Sequence, residues 1–205
     1  MSTMCKLTSR STVFSVSCLI SGLVAINLAT LSSQSWAEPA KLFSDAAKYE
    51  KRMASELVLQ IDVKLGEEED MGLSADGHRY NYPITGGTFV GKGMRGTVVP
   101  GGADFALERR DGVTIIDALY RLKTDDGEII IIHNKGIWNP TKLAVEKMAK
   151  SLPLKPEDVY YRTVPDFKTQ PGKYDWLEDY IFVGTVDMAD DGLSVLVSSY
   201  LLKGD

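Results

Sequence analysis

The residues best suited to chemistry in this chain are two carboxylates and a guanidinium. Asp104 follows the step "PGGADF". Asp117 and Arg162 lie in the alternating stretches "VTIIDALYRL" and "VYYRTVP". A carboxyl group held away from water rises in pKa and can act as a general base near neutral pH. An arginine or a tyrosine beside it can hold the oxygen of a developing enolate. Asp104, Asp117 and Arg162 are therefore the catalytic candidates. Arg162 on an inward face must pair with a carboxylate or meet an anion, because an isolated buried charge is costly. Both readings stay open: a buried ion pair of Arg162 with Asp104 or Asp117 that fixes register, or a set of groups facing a ligand. Asp104 has two readings as well, as a rim carboxylate reaching a cavity or as a turn-stabilising aspartate.

A second stretch suggests phosphate binding. In "GGTFVGKGMRG", residues 86–96, Gly86, Gly91 and Lys92 match the first part of a phosphate-cradling loop. A working loop needs Ser or Thr after the lysine and a helix behind it. Gly93 follows Lys92, and "TVVP" follows Gly96 as a strand ended by Pro100. The motif fails on both counts. The glycines are expected to bend a hairpin, and only Arg95, expected at a barrel rim, is left as a candidate for chemistry.

The remaining candidates are ligand-binding side chains. In "VTIIDALYRL", Asp117, Leu119 and Arg121 share one face and Ile116, Ala118, Tyr120 and Leu122 the other. In "IIIIHNKG", either His133 or Asn134 points inward from a run of isoleucines expected to be buried on both sides. Tyr160 shares the face of Arg162. Tyr80, Tyr82, Tyr174 and Trp176 could form aromatic walls, although each aromatic taken singly is as well explained by core packing. Metal chemistry is poorly supported. There are two histidines, His78 and His133, at no ligand-like spacing. No cofactor motif and no nucleophile elbow is present, and whether the chain is an enzyme stays open.

The elements that position these groups follow from periodicity. "ELVLQIDVKL" alternates from Leu57 to Leu65, and short alternating segments separated by turn signals, Asp111-Gly112 and Asp126-Gly127 among them, continue to the C-terminus. Two stretches are helical: a lead-in over residues 38–56, with Ser44 as a cap, and an insertion near 140–152, with Asn139 as N-cap and Pro140 at the first helical position. The reading is all-β, a single antiparallel barrel (calycin-like or similar) over 57–205 carrying a short N-terminal helix and one helical insertion.

The N-terminus reads as a secretory signal. Lys6 and Arg10 precede an apolar run, Val13–Leu31, and Ser35 and Ala37 stand at the small-residue positions of a cleavage site. Cleavage after Ala37 is expected, with a retained membrane anchor as the alternative reading. The mature chain would be periplasmic or secreted, free of stable membrane insertion, and without cysteine, since Cys5 and Cys18 leave with the signal. The net charge of −5 over 205 residues argues against nucleic-acid binding. The oligomeric state, a homo-oligomer included, is open.

Four stretches, "YPITGGTFVGKGMRGTVVPGGADF", "DGVTIIDALYRLKTDDGEIIIIHNKG", "VYYRTVPDFKT" and "YDWLEDYIFVGT", resemble the small DUF3237 (UPF0311) proteins in order and spacing. The resemblance runs from about Glu56 to Leu201. It implies an antiparallel β-barrel with a central cavity and carries no catalytic residues with it. An export signal and an added N-terminal helix depart from the family pattern. Together these readings give an exported binding protein for an apolar or aromatic small molecule bearing an anionic or carbonyl group. The alternative is a cofactor-free lyase, isomerase or cyclase in the same pocket, using a buried Asp as base and Arg162 or Tyr120 as oxyanion stabiliser.

Overall fold

A computed structural model describes residues 52–189 and 192–204. The expected signal segment and nearly all of the expected helical lead-in, Ser44 included, lie outside these residues. The lead-in's last residues do not belong to a helix, because the first strand already begins at Ala54.

Nine strands follow in chain order: β1 (Ala54–Leu65), β2 (Glu69–Leu73), β3 (His78–Gly91), β4 (Met94–Glu108), β5 (Thr114–Thr124), β6 (Ile129–Pro140), β7 (Val159–Lys168), β8 (Phe182–Met188) and β9 (Ser194–Lys203). Sheet neighbours run β1-β9-β8-β7-β6-β5-β4-β3-β2, and β1 also pairs with β3. All pairings are antiparallel. The β1–β3 seam closes eight strands into a barrel. β3 is long enough to serve two partners on one edge: β1 along its second half and the short β2 along its first. Closure removes the unpaired edges that an open sheet would leave.

Alternation breaks where closure requires it. β1 carries an irregularity between Leu57 and Leu59, so Val58 and Leu59 are both buried while Leu57 is exposed. β3 and β4 fall out of regular pairing between Ile84 and Thr88, and β4 and β5 between Val99 and Ala103. "PGG" at 100–102 is thus a bulge inside β4, not a turn, and Pro100 does not end the strand. Gly87 shows why glycine is needed at the seam. Its φ is +132°, and a Cβ there would sit 1.9 Å from the Asp62 carbonyl oxygen, closer than any contact between these atoms allows.

One end of the barrel is plugged. A short 3-10 turn, Asp175–Glu178, places Leu177 and Tyr174 in the core cluster. Phe182 meets Phe167 edge-on at 5.0 Å and Trp176 at 6.2 Å. Tyr174 donates its hydroxyl to Asp126 at 2.9 Å. Interior aliphatics, among them Leu59, Ile61, Leu122, Ile130 and Ile132, fill the space above.

The helical insertion is α1, Lys142–Ala149, at the opposite end. Its N-cap is Thr141, whose hydroxyl accepts from the Ala144 amide, and Asn139 and Pro140 belong instead to the end of β6. Only Ala144 of the helix is buried. The helix is pinned from below by a short ion pair from Lys147 to Asp158, 2.5 Å long, whose carboxylate also accepts from the Lys155 amide. No helix among the described residues is long and apolar enough to cross a membrane.

Candidate functional site

The inner faces of the strands surround a cavity of about 1110 Å³ that opens at the α1 end of the barrel. This lies just above the usual size range of small-molecule pockets. Val63, Ile84, Ile116, Ala118, Val186 and Val197 form its aliphatic wall. Tyr80, Tyr82, Tyr120, Trp138 and Tyr161 add aromatic surface, and Asp104, Asn134 and Glu108 add polar groups.

Asp104 sits in mid-strand and faces this cavity, so the reading of it as a turn aspartate gives way. The β4–β5 ladder pairs Asp104 with Ala118 and resumes at Leu107 and Ile115. In the gap, the backbone amide of Asp117 donates to Asp104 Oδ1 at 2.8 Å. No cation pairs with Asp104 among the described residues. Burial raises its pKa to about 6, against the lowering effect of the Asp117 amide.

Two neighbours share that environment. Burial, and then the Asp104 charge, raises the pKa of both Tyr120 and Tyr161. The Tyr120 hydroxyl and the Asn134 Oδ1 are buried with no hydrogen-bond partner. A buried polar atom left unsatisfied costs roughly 1–3 kcal/mol, so such atoms point to a missing partner. Both residues border the cavity. Nearer the mouth, Tyr82 donates to Glu68 at 2.7 Å, and Tyr80 stacks on His78 with ring centroids 4.6 Å apart.

The other expected site residues lie elsewhere. Arg162 is on the outer face of β7 and exposed. It donates to the Tyr161 carbonyl and lies over the Tyr160 ring, 5.4 Å from the centroid. It borders only the outer part of the cavity and pairs with neither Asp104 nor Asp117, so the expected ion pair is not formed. Tyr160, on the same outer face, is 56% exposed and does not line the cavity. Asp117 also faces outward. Its carboxylate meets His133 Nε2 at 2.5 Å across β5 and β6, which removes both from the interior. Asn134, not His133, takes the inward position, and Ile131 between two buried isoleucines is exposed. Arg95 is at the plugged end in an exposed pair with Asp125, 2.8 Å, far along the strand from the mouth, so residues 86–96 are architectural. Trp176 belongs to the plug. Among the described residues no group of three or more His, Cys, Asp or Glu is placed to hold a metal.

Trp138 and Tyr161 line the cavity beside the residues expected from the sequence. Strand alternation alone places both on the faces that turn inward. Trp138 follows Asn134 by four positions and so shares its face, and Tyr161 lies on the face opposite Tyr160 and Arg162.

Residues 53–202 match the family described as a protein of unknown function, DUF3237. A UPF0311 protein of Rhodopseudomonas palustris is 33% identical over 150 residues, which span 73% of this chain and 97% of the relative. Its crystal structure, that of a conserved protein of unknown function, superposes with a TM-score of 0.67 over 74% of this chain and 98% of that one. A protein of Acinetobacter baumannii, described as β-barrel-like, is 32% identical with a TM-score of 0.65, covering 74% and 96% of the two chains. A structure described as an enzyme from Penicillium herquei, 20% identical with a TM-score of 0.55 over 74% and 96% of the chains, shares the fold. The match along nearly the whole barrel, and the barrel itself, place the chain in the DUF3237 (UPF0311) family.

Proposed function

We propose that this barrel binds an uncharged small molecule, apolar or aromatic in bulk, that carries a hydroxyl or carbonyl group. The observation that carries the reading is a roomy, mostly apolar cavity whose lining residues include two with partnerless buried polar atoms, Tyr120 Oη and Asn134 Oδ1, within a side-chain rotation of its space. A ligand oxygen would satisfy them, and aromatic and aliphatic walls would supply the area. An anionic head group fits less well. The basic residues that border the cavity are Lys142, Lys155 and Arg162; all are exposed, and none stands beside Asp104.

The test is native mass spectrometry of the protein purified from its own cells. The expected result is a second mass released on denaturation. The reading fails if the protein carries nothing and binds no aromatic alcohol or ketone by calorimetry.

A second reading is supported by Asp104 itself. A carboxyl group that is buried, free of any ion pair and shifted to about 6 suits a general base. In a cofactor-free lyase, isomerase or cyclase it would take a proton from the carbon beside a ligand carbonyl. Tyr120 would donate a hydrogen bond to the enolate oxygen. The proton on Asp104 then returns to a different position of the same molecule in an isomerase or cyclase, or goes to the group expelled from the enolate in a lyase. Incubating the released ligand with the protein in deuterated water tests this. Solvent deuterium should enter the ligand with the native chain and not with Asp104→Asn, and no incorporation by the native chain would remove the reading.

A further inference from the structure

The α1 helix has an apolar face that the fold itself does not use. Val145 and Met148, three residues apart, lie on one side of the helix. They remain 50% and 41% exposed. Both border the cavity, as does Leu154 in the segment after the helix. A surface helix normally buries its apolar stripe against the core. Here the helix buries Ala144 alone and is held otherwise by polar devices: the Thr141 cap and the Lys147–Asp158 pair. Its apolar side chains are thereby fixed over the opening. Below them, Trp138, Val159 and Tyr161 continue the apolar and aromatic lining inward toward Tyr120 and Asn134.

The site is thus graded, with partnerless polar atoms inside and unburied aliphatic side chains at the mouth. From this gradient we infer that the ligand is a neutral amphiphile, its oxygen-bearing head at Tyr120 and Asn134 and its hydrocarbon tail against Val145, Met148 and Leu154. The inference rests on the binding reading above and adds the ligand's polarity and direction of entry. The tail buries the exposed face of α1, so occupation stabilises the helix in place. Side chains at the mouth then set which tail lengths are accepted.

A series of 4-alkylphenols from ethyl to octyl, titrated into the purified protein by calorimetry, tests it. Affinity should rise about two- to fourfold per added methylene while the tail lies against the helix, then level off. The variant Val145→Ser/Met148→Ser should lose that rise while keeping the affinity for 4-ethylphenol within about twofold, because the changed side chains are half-exposed and lie away from the head group. Leu154→Ser, measured separately, should flatten the longer members alone. Alkanoates of matched length should bind more weakly, for want of a cation at the inner end.

Three outcomes overturn the inference while leaving the binding reading untouched. If 4-ethylphenol binds and affinity is flat with chain length, the tail site does not exist although the cavity binds. If the double variant keeps the full rise, the tail lies elsewhere. If sedimentation shows a dimer that the double variant abolishes, the helix face is an interface between copies. Failure of every phenol to bind removes the binding reading as well.

Discussion

The amide of Asp117 donates to Asp104 Oδ1 at 2.8 Å, while the Asp117 carboxylate turns outward to His133. One residue therefore anchors an interior carboxyl group through its backbone and makes an exterior contact with a histidine through its side chain. Asp104 is held in the cavity by a neutral donor and by no countercharge, which leaves its ionisation costly.

That cost has a sign. The folded-state pKa of Asp104, about 6, lies above its ordinary value of 3.8. Between these values the folded chain holds more protons than the unfolded one, so this group's contribution to stability falls as pH rises through the window and is constant above it. Asp104→Asn keeps an acceptor for the Asp117 amide and removes the charge. Urea unfolding from pH 4 to 8 should find the variant more stable than the native chain at pH 8, by about 1–3 kcal/mol. The difference should vanish toward pH 4, and a gap independent of pH would refute the assignment.

Tyr120→Phe removes a buried hydroxyl that has no hydrogen-bond partner among the described residues. Relieving it should raise the stability of the ligand-free protein by about 1 kcal/mol. Affinity for a phenolic probe should drop at the same time. Thermal melts and calorimetry on the same sample read the two effects. A loss of stability would mean that the hydroxyl is satisfied in solution.

Phe182→Ala opens the plug between Phe167 and Trp176. A cavity at this fully buried site should cost about 3–5 kcal/mol. Probe affinity of the folded fraction should be unchanged, because the plug and the cavity mouth are at opposite ends. A large shift in affinity would show that the plug shapes the binding site.

Gly87→Ala and Gly93→Ala separate two uses of glycine in one hairpin. Both residues have positive φ, but a Cβ at Gly87 collides with the Asp62 carbonyl whereas one at Gly93 meets nothing within 4 Å. Gly93→Ala should cost about 1–2 kcal/mol, the penalty of a left-handed alanine. Gly87→Ala should cost more, or prevent folding, because it forces the β1–β3 seam apart. Chemical denaturation of both variants checks the order.

Helix α1 should behave as a separate cooperative unit. Asp158→Asn weakens the pair with Lys147 that pins it. Hydrogen exchange followed by mass spectrometry should then show faster exchange over residues 142–149 with the strand amides unchanged. Uniform acceleration through the barrel would contradict this.

Much of the architecture could be read along the chain. Alternation marked β5 and β6, the two Asp-Gly turns were hairpins, and the helical insertion lies where its period placed it. The cap was misplaced because Asn139-Pro140 also fits the end of a strand, and Thr141 won once β6 continued to Pro140. Pro100 reads as the end of a strand because a bulge and a turn draw on the same residues. The site was legible only in part. Asp104, Tyr80, Tyr120 and Asn134 meet in one cavity and Arg162 reaches only its outer part, but Tyr160, Asp117 and His133 do not line it.

The sequence by itself determined which residues share a face, since a period of two follows from the pleat alone. It also determined the family and most of the strand succession, but not β2, whose acidic run reads as a loop. Which face turns inward was decided by closure. Asp117 and Tyr120 sit on opposite faces of one strand, each polar enough to suit either side, and only closure, through the β1–β3 seam with its glycine at 87 and the bulge at Val58 in the β1–β9 pairing, curls the sheet so that Tyr120 is inside. Local spacing carries no information about that choice, because curvature is a property of the whole sheet.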